Sequence, residues 1–153
     1  NGAGAVIAEV YDATPASNVS VNAPRLINVS VLKPIGTSLT MGFVISGTGS
    51  KTVLIRALGP TLATLFGLPA AGVIADPKLE LFNGASRSIG TNDTWGGTAA
   101  LSAAFTAAGT FGLAASSLDA AMTATLSPGN YTVVVSPSTG ATGTGLVEVY
   151  ELP

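Results

Sequence analysis

The feature that most limits what this chain can fold into is a succession of short β-branched and apolar runs, each soon cut off by glycine, proline or a small polar cluster. The runs are Ala3 to Tyr11, Leu26 to Lys33, Leu39 to Ser46, Thr52 to Leu58, Lys78 to Phe82, Ala121 to Leu126, Tyr131 to Ser136 and Gly145 to Leu152. Their length and composition suit strands and are too short for helices that support themselves. Gly47-Thr48-Gly49-Ser50 is expected to close a hairpin, because its glycines supply positive φ angles. Ser127-Pro128-Gly129-Asn130 is expected to be a second turn, with proline at its first central position. The expected fold is all-β, an antiparallel β-sandwich or jelly roll of about eight or nine strands. Helix is confined to connectors. Thr61 to Phe66 lies between Pro60 and Gly67, and an Ala-rich stretch from Thr98 to Ala108 ends at Gly109.

The chemistry open to such a scaffold is narrow. Among 153 residues there is no His and no Cys, which removes imidazole general bases, thiol nucleophiles and the usual zinc, haem and iron–sulfur ligands. Six Lys and Arg against eight Asp and Glu give a net charge of −2, too few cations for a nucleic-acid groove. The longest Ala-rich stretch is too short to span a bilayer, so membrane insertion is not expected. No enzyme activity and no cofactor are expected. The chain opens at Asn1 without Met or a basic leader, and is expected to be a processed product or a portion of something longer.

Charge is scarce as well as balanced. Charged residues make up 9% of the chain and hydrophobic ones 47%, where an ordinary soluble domain carries roughly 25% charge. A monomer of this size exposes about 7,000 Å², or about 500 Å² per charge. Such a surface suits contact with other copies of itself better than life as a free monomer. The abundance of Ser, Thr, Gly, Ala and Val points to an extracellular or cell-surface setting. Sequons occur at Asn18, Asn28, Asn92 and Asn130, a number that chance supplies in so Ser- and Thr-rich a chain.

One internal copy stands out. Gly4-Ala5-Val6-Ile7-Ala8-Glu9-Val10-Tyr11-Asp12 aligns without gaps on Gly143-Thr144-Gly145-Leu146-Val147-Glu148-Val149-Tyr150-Glu151. Parity is kept, so the two segments can fill the same slot in a sheet. Between the first copy and the rest runs Ala13 to Pro24, bracketed by Pro15 and Pro24. If extended, it reaches roughly 35–40 Å, about the width of the domain. The chain therefore divides into a donor-like strand (1–12), an extended linker (13–24) and a sandwich (25–153). The first segment either enters a neighbouring subunit's sheet, or finishes a preceding repeat of a tandem array with a period near 139 residues (148 − 9). Chance likeness between two strands of one sandwich is the third reading.

Arg25-Leu26-Ile27-Asn28-Val29-Ser30, Gly42 to Gly47, Thr52 to Pro60, Asp76 to Leu81, Asn92 to Gly96 and Leu146 to Tyr150 together resemble a repeated β-sandwich domain of very large secreted or surface proteins of environmental bacteria. The stretch Leu126 to Val135 is also similar to the bacterial pre-peptidase C-terminal type of jelly roll. The resemblance covers roughly Arg25 to Leu152 and implies extracellular β architecture and repetition. It carries no catalytic residues.

The motifs with chemical promise mostly fail on context. Ser30-Val31-Leu32-Lys33 has the spacing of serine acyltransferases, but in a strand the pair points to opposite faces. Gly47-Thr48-Gly49-Ser50-Lys51-Thr52 leads into a strand, where a phosphate loop leads into a helix. Asp76, Glu80, Asp93 and Asp119 are the candidates for a carboxylate pair or a Ca²⁺ site, and Asn92-Asp93-Thr94 reads better as a side-chain-capped turn. Trp95, the one tryptophan, is the candidate ligand contact, since an indole on a loop can stack on a sugar. Arg56, set in an apolar run, demands a partner if buried, and Glu80 or Asp76 is expected to be it.

The expected function is that of a structural subunit of an extracellular bacterial filament or surface fibre. The strand Val6-Ile7-Ala8-Glu9-Val10-Tyr11 would polymerise it by entering a neighbouring copy. The alternative is a carbohydrate-binding or spacer module of a larger secreted protein, with polysaccharide as its partner.

Overall fold

A computed structural model describes residues 7–18, 20 and 25–153. Eight strands form two antiparallel four-stranded sheets, which is the all-β sandwich the sequence implies. They are β1 (Asn28–Ile35), β2 (Leu39–Ile45), β3 (Lys51–Leu58), β4 (Pro77–Asn83), β5 (Ser88–Asn92), β6 (Ala120–Leu126), β7 (Gly129–Pro137) and β8 (Gly143–Glu151). The first sheet has the order β1-β8-β3-β6 and the second β2-β7-β4-β5. Two short helices, α1 (Pro60–Thr64) and α2 (Ala99–Ala107), sit in the connections. Thr98 caps α2, its hydroxyl accepting from Leu101 N.

Alternation of side chains explains the layering. Val53, Ile55 and Ala57 of β3 and Val147 and Val149 of β8 face Leu79, Leu81, Val133 and Val135 of the opposite sheet. Leu54 and Leu58, of the other parity, face outward and are nevertheless buried, because α1, α2 and the loops around them lie over this face. Trp95, Phe105 and Leu113 complete that second apolar layer. The continuous apolar run of β3 is thus a strand covered on both sides.

The loop at Gly47–Ser50 is not a hairpin. β2 pairs with β7 in one sheet, whereas β3 lies between β8 and β6 in the other, so the loop crosses between sheets. Gly47, at φ 89°, still supplies the reversal. The physical cause is burial: β3 is apolar on both faces and takes an interior seat, while β2 alternates and sits at an edge. The turn at Ser127–Asn130 likewise passes from one sheet to the other. A true hairpin joins β4 to β5, where Asn83 Oδ1 accepts from Ala85 N at 3.1 Å and Arg87 N at 3.0 Å. The sequence reading missed β5, because Ser-Ile-Gly-Thr-Asn offers one large apolar side chain, and Ile89 is exposed.

The N-terminal segment stands apart. Ile7 to Tyr11 pairs with neither sheet, and Ile7, Val10 and Tyr11 are 86%, 74% and 77% exposed. Val6 of the expected polymerisation strand, and the residues before it, lie outside the described residues, as do 19 and 21–24 of the linker. A single 3-10 turn, Ala16–Asn18, interrupts the linker that the prolines suggested would be extended throughout.

Candidate functional site

A densely bonded polar cluster lies where β3 meets β8. Arg56 and Glu148 are register partners. Both belong to the outward series of their strands, so they point into the layer under the helices. Arg56 is 0% exposed and Glu148 5%. Arg56 Nε donates to Glu148 Oε2 at 2.9 Å and Nη2 to the same oxygen at 2.5 Å. Nη1 donates to Phe111 O at 2.7 Å, and Nη2 also donates to Thr110 Oγ1 at 2.6 Å. Glu148 Oε1 accepts from the Tyr150 hydroxyl at 2.8 Å. The guanidinium carbon lies 4.2 Å from the Phe111 ring centre and 5.3 Å from that of Phe105. Burial pushes the Tyr150 hydroxyl above its usual value.

The partner expected for Arg56, Glu80 or Asp76, is therefore corrected to Glu148. Its signal was present in the sequence: a lone acid in Leu-Val-Glu-Val-Tyr is as anomalous as a lone cation in Val-Leu-Ile-Arg-Ala-Leu, and the charges are opposite. Each side-chain nitrogen of Arg56 and each carboxylate oxygen of Glu148 has a partner within the cluster, so it fastens two strands.

Asp119 plays a similar part beside it. Fully buried, it accepts from Gly59 N at 2.7 Å, Thr61 N at 3.2 Å, Ser117 Oγ at 2.5 Å and the Thr61 hydroxyl. Gly59 offers α1 no side-chain cap, and Asp119 supplies one from across the fold. Its backbone O accepts from Trp95 N at 2.9 Å.

The other candidates are dispersed. Trp95 is 4% exposed, donates through its indole N–H to Ala114 O at 3.0 Å and packs on Phe105, so the face a sugar would stack on is covered. Asn92 bonds both ways, to Thr94 O and from Ala121 N, as a capped turn would. Asp76 is pushed up by burial and by the charge of Asp93, and its Oδ1 has no hydrogen-bond partner. Among the described residues Glu80 joins no ion pair. Among the described residues no three acids, histidines or cysteines gather where a metal could be held. Ser30 and Lys33 lie on β1, not on a helix. An apolar hollow of about 180 Å³ opens between Leu32, Leu62, Phe66, Leu68 and Leu146. Among the described residues no helix is long and apolar enough to cross a membrane.

Two strands bear on assembly. β1 bonds to β8 on one side only, and Leu26, Ile27 and Leu32 near it are more than half exposed. β8 is interior, with β1 paired along its whole length and β3 on its other flank. The slot that the N-terminal segment imitates is thus already occupied in this sandwich.

No protein-family model matches the chain, and no curated protein matches it. Among solved structures it is similar to the pre-peptidase C-terminal domain of collagenase from Bacillus anthracis. That likeness has 14% sequence identity and a TM-score of 0.48, covers 84% of this chain and 98% of the other, and carries no inference about function.

Proposed function

We propose that this sandwich is a structural module of a larger secreted or surface assembly, and that residues 4–12 form the last strand of an adjoining sandwich. One observation carries the reading. The segment copies β8, whose seat lies between two strands and is filled here by β8 itself, while Ile7 to Tyr11 stands exposed outside both sheets. A preceding sandwich of the same chain, wanting its final strand, accounts for the copy, its parity and the intervening linker. The low charge fits a surface covered by neighbours. An extracellular location belongs to the same proposal. The carbohydrate-binding version gains nothing from Trp95, which is covered.

The test compares the chain with a form lacking residues 1–12. Equal melting midpoints are expected, since among the described residues Ile7 to Tyr11 pairs with neither sheet and is exposed. A fall of several degrees would place the strand in its own subunit and end the proposal. The second reading, a filament of separate copies, is favoured by the free edge of β1, guarded only by Lys33 and Pro34. Electron microscopy separates the two: fibres that form from the full chain and vanish without residues 1–12 would select the filament.

A further inference from the structure

β1 has one bonded flank, and among the described residues no strand pairs with the other. Two bonds at the end of β8 fix which groups point where. Glu151 N donates to Ile27 O at 2.8 Å, and Leu152 N, on the opposite flank, donates to Thr52 O at 2.8 Å. Bonded pairs recur at every second residue of an antiparallel ladder, so Val29, Val31 and Lys33 spend their backbone groups on β8. The amides and carbonyls of Asn28, Ser30 and Leu32 point away from it. Pro34, next in that series, has no N–H to offer. Charge and proline commonly guard an edge strand. Here Lys33 and Pro34 guard one end only, and Leu26 to Leu32 carries no charge.

The unguarded stretch matches itself. An antiparallel copy related by a two-fold axis at Val29 sets Leu26 against Leu32, Ile27 against Val31, Asn28 against Ser30 and Val29 against Val29. Apolar meets apolar, polar meets polar, and Pro34 falls beyond the pairing. An axis at Ser30 would set Leu32 against Asn28 and Ile27 against Lys33, and one at Val31 would set Val29 against Lys33. The side chains so matched are bare in the single chain: Leu26 is 57% exposed, Ile27 and Leu32 55%, and Val29 36%. Leu32 also walls the apolar hollow with Leu62, Phe66, Leu68 and Leu146, and Leu26 of a second copy, set against Leu32, extends that wall. The cost is small: Lys33 faces Arg25 of the second copy, whose Nε and Nη2 are already held by Glu151 at an exposed site.

We infer that two copies of this chain associate through β1, antiparallel and centred on Val29, so that the sheet β1-β8-β3-β6 of one continues into the same sheet of the other. The inference does not rest on the role proposed for residues 1–12.

Sedimentation velocity of the full chain at high micromolar concentration should show a dimer. Ser30→Pro should give a monomer that still melts cooperatively, because proline there removes an N–H from the open flank and none from the ladder with β8. Cysteine, which the chain lacks, reads the register. Under oxidation Val29→Cys should cross-link to its own copy, since residues at the axis form a non-hydrogen-bonded pair with Cα atoms about 4.5 Å apart. Ser30→Cys and Val31→Cys should not. A chain that stays monomeric or grows into open-ended fibres overturns the inference. So does a dimer in which Val29→Cys fails to cross-link, or a folded Ser30→Pro chain that still dimerises. The form lacking residues 1–12 should dimerise unchanged. Loss of its dimer would overturn pairing through β1 and leave the adjoining-sandwich reading to its own melting test.

Discussion

Arg56 of β3 and Glu148 of β8 stand opposite one another in adjacent strands, and the guanidinium places two of its nitrogens on one carboxylate oxygen in a layer closed to water. Removing one partner strands the other charge. Arg56→Met or Glu148→Gln should each cost roughly 3–5 kcal/mol in denaturant unfolding, whereas Arg56→Met with Glu148→Leu should recover most of that loss. Equal losses for the single and double variants would show that the cost lies in packing on Phe105 and Phe111.

Asp119 gathers the amides of Gly59 and Thr61 and two hydroxyls at the start of α1. Asp119→Ala should cost about 2–4 kcal/mol, since several buried donors are left unpaired at once. The loss should be accompanied by faster amide exchange at Gly59 and Thr61, and unchanged exchange at those two amides would refute the capping role.

Asp76 and Glu151 predict opposite pH behaviour. Burial first, and then the charge of Asp93, raise Asp76, so its ionised form weakens the fold at neutral pH and the penalty fades as pH falls through the raised value. Asp76→Asn should therefore raise the melting midpoint at pH 7 and lose that advantage in acid. Burial alone would raise Glu151 too, but hydrogen bonds and charge from Arg25 and Lys51 outweigh it and hold the carboxyl low. Its contribution is present above the unfolded value and is lost as pH falls through the lowered folded one. Glu151→Gln should be modestly destabilising at pH 7, given how exposed its partners are, and neutral in strong acid.

Gly59, between β3 and α1, lies hard against the backbone of the loop that precedes β4. A Cβ there would fall 1.9 Å from Ile74 O, a backbone atom that cannot swing aside. Gly59→Ala should cost several kcal/mol, against about 1 kcal/mol or less for glycine replacement in open space such as Gly36. Thermal melts of the two variants decide it.

The sandwich was legible because strand runs depend on local alternation: seven of the expected runs contain strands, and both connector helices fall within a few residues of their expected bounds. β5 was not legible, since it is held by pairing with β4 and carries little apolar signal. The crossing at Gly47 was misread as a hairpin because a turn's residues encode the reversal and say nothing about which sheet receives the next strand.

Sequence alone established the class of fold, the exclusion of imidazole and thiol chemistry, and the likeness of residues 4–12 to residues 143–151. Those follow from composition and period, which need no knowledge of neighbours. Tertiary structure decided that β8 is interior, that Glu148 answers Arg56, and that Trp95 is covered. Each depends on which strands lie side by side and what is layered over them: the sequence marks Arg56 and Glu148 as anomalous charges in apolar runs, but a pairing across 92 residues is fixed only when β3 and β8 become neighbours.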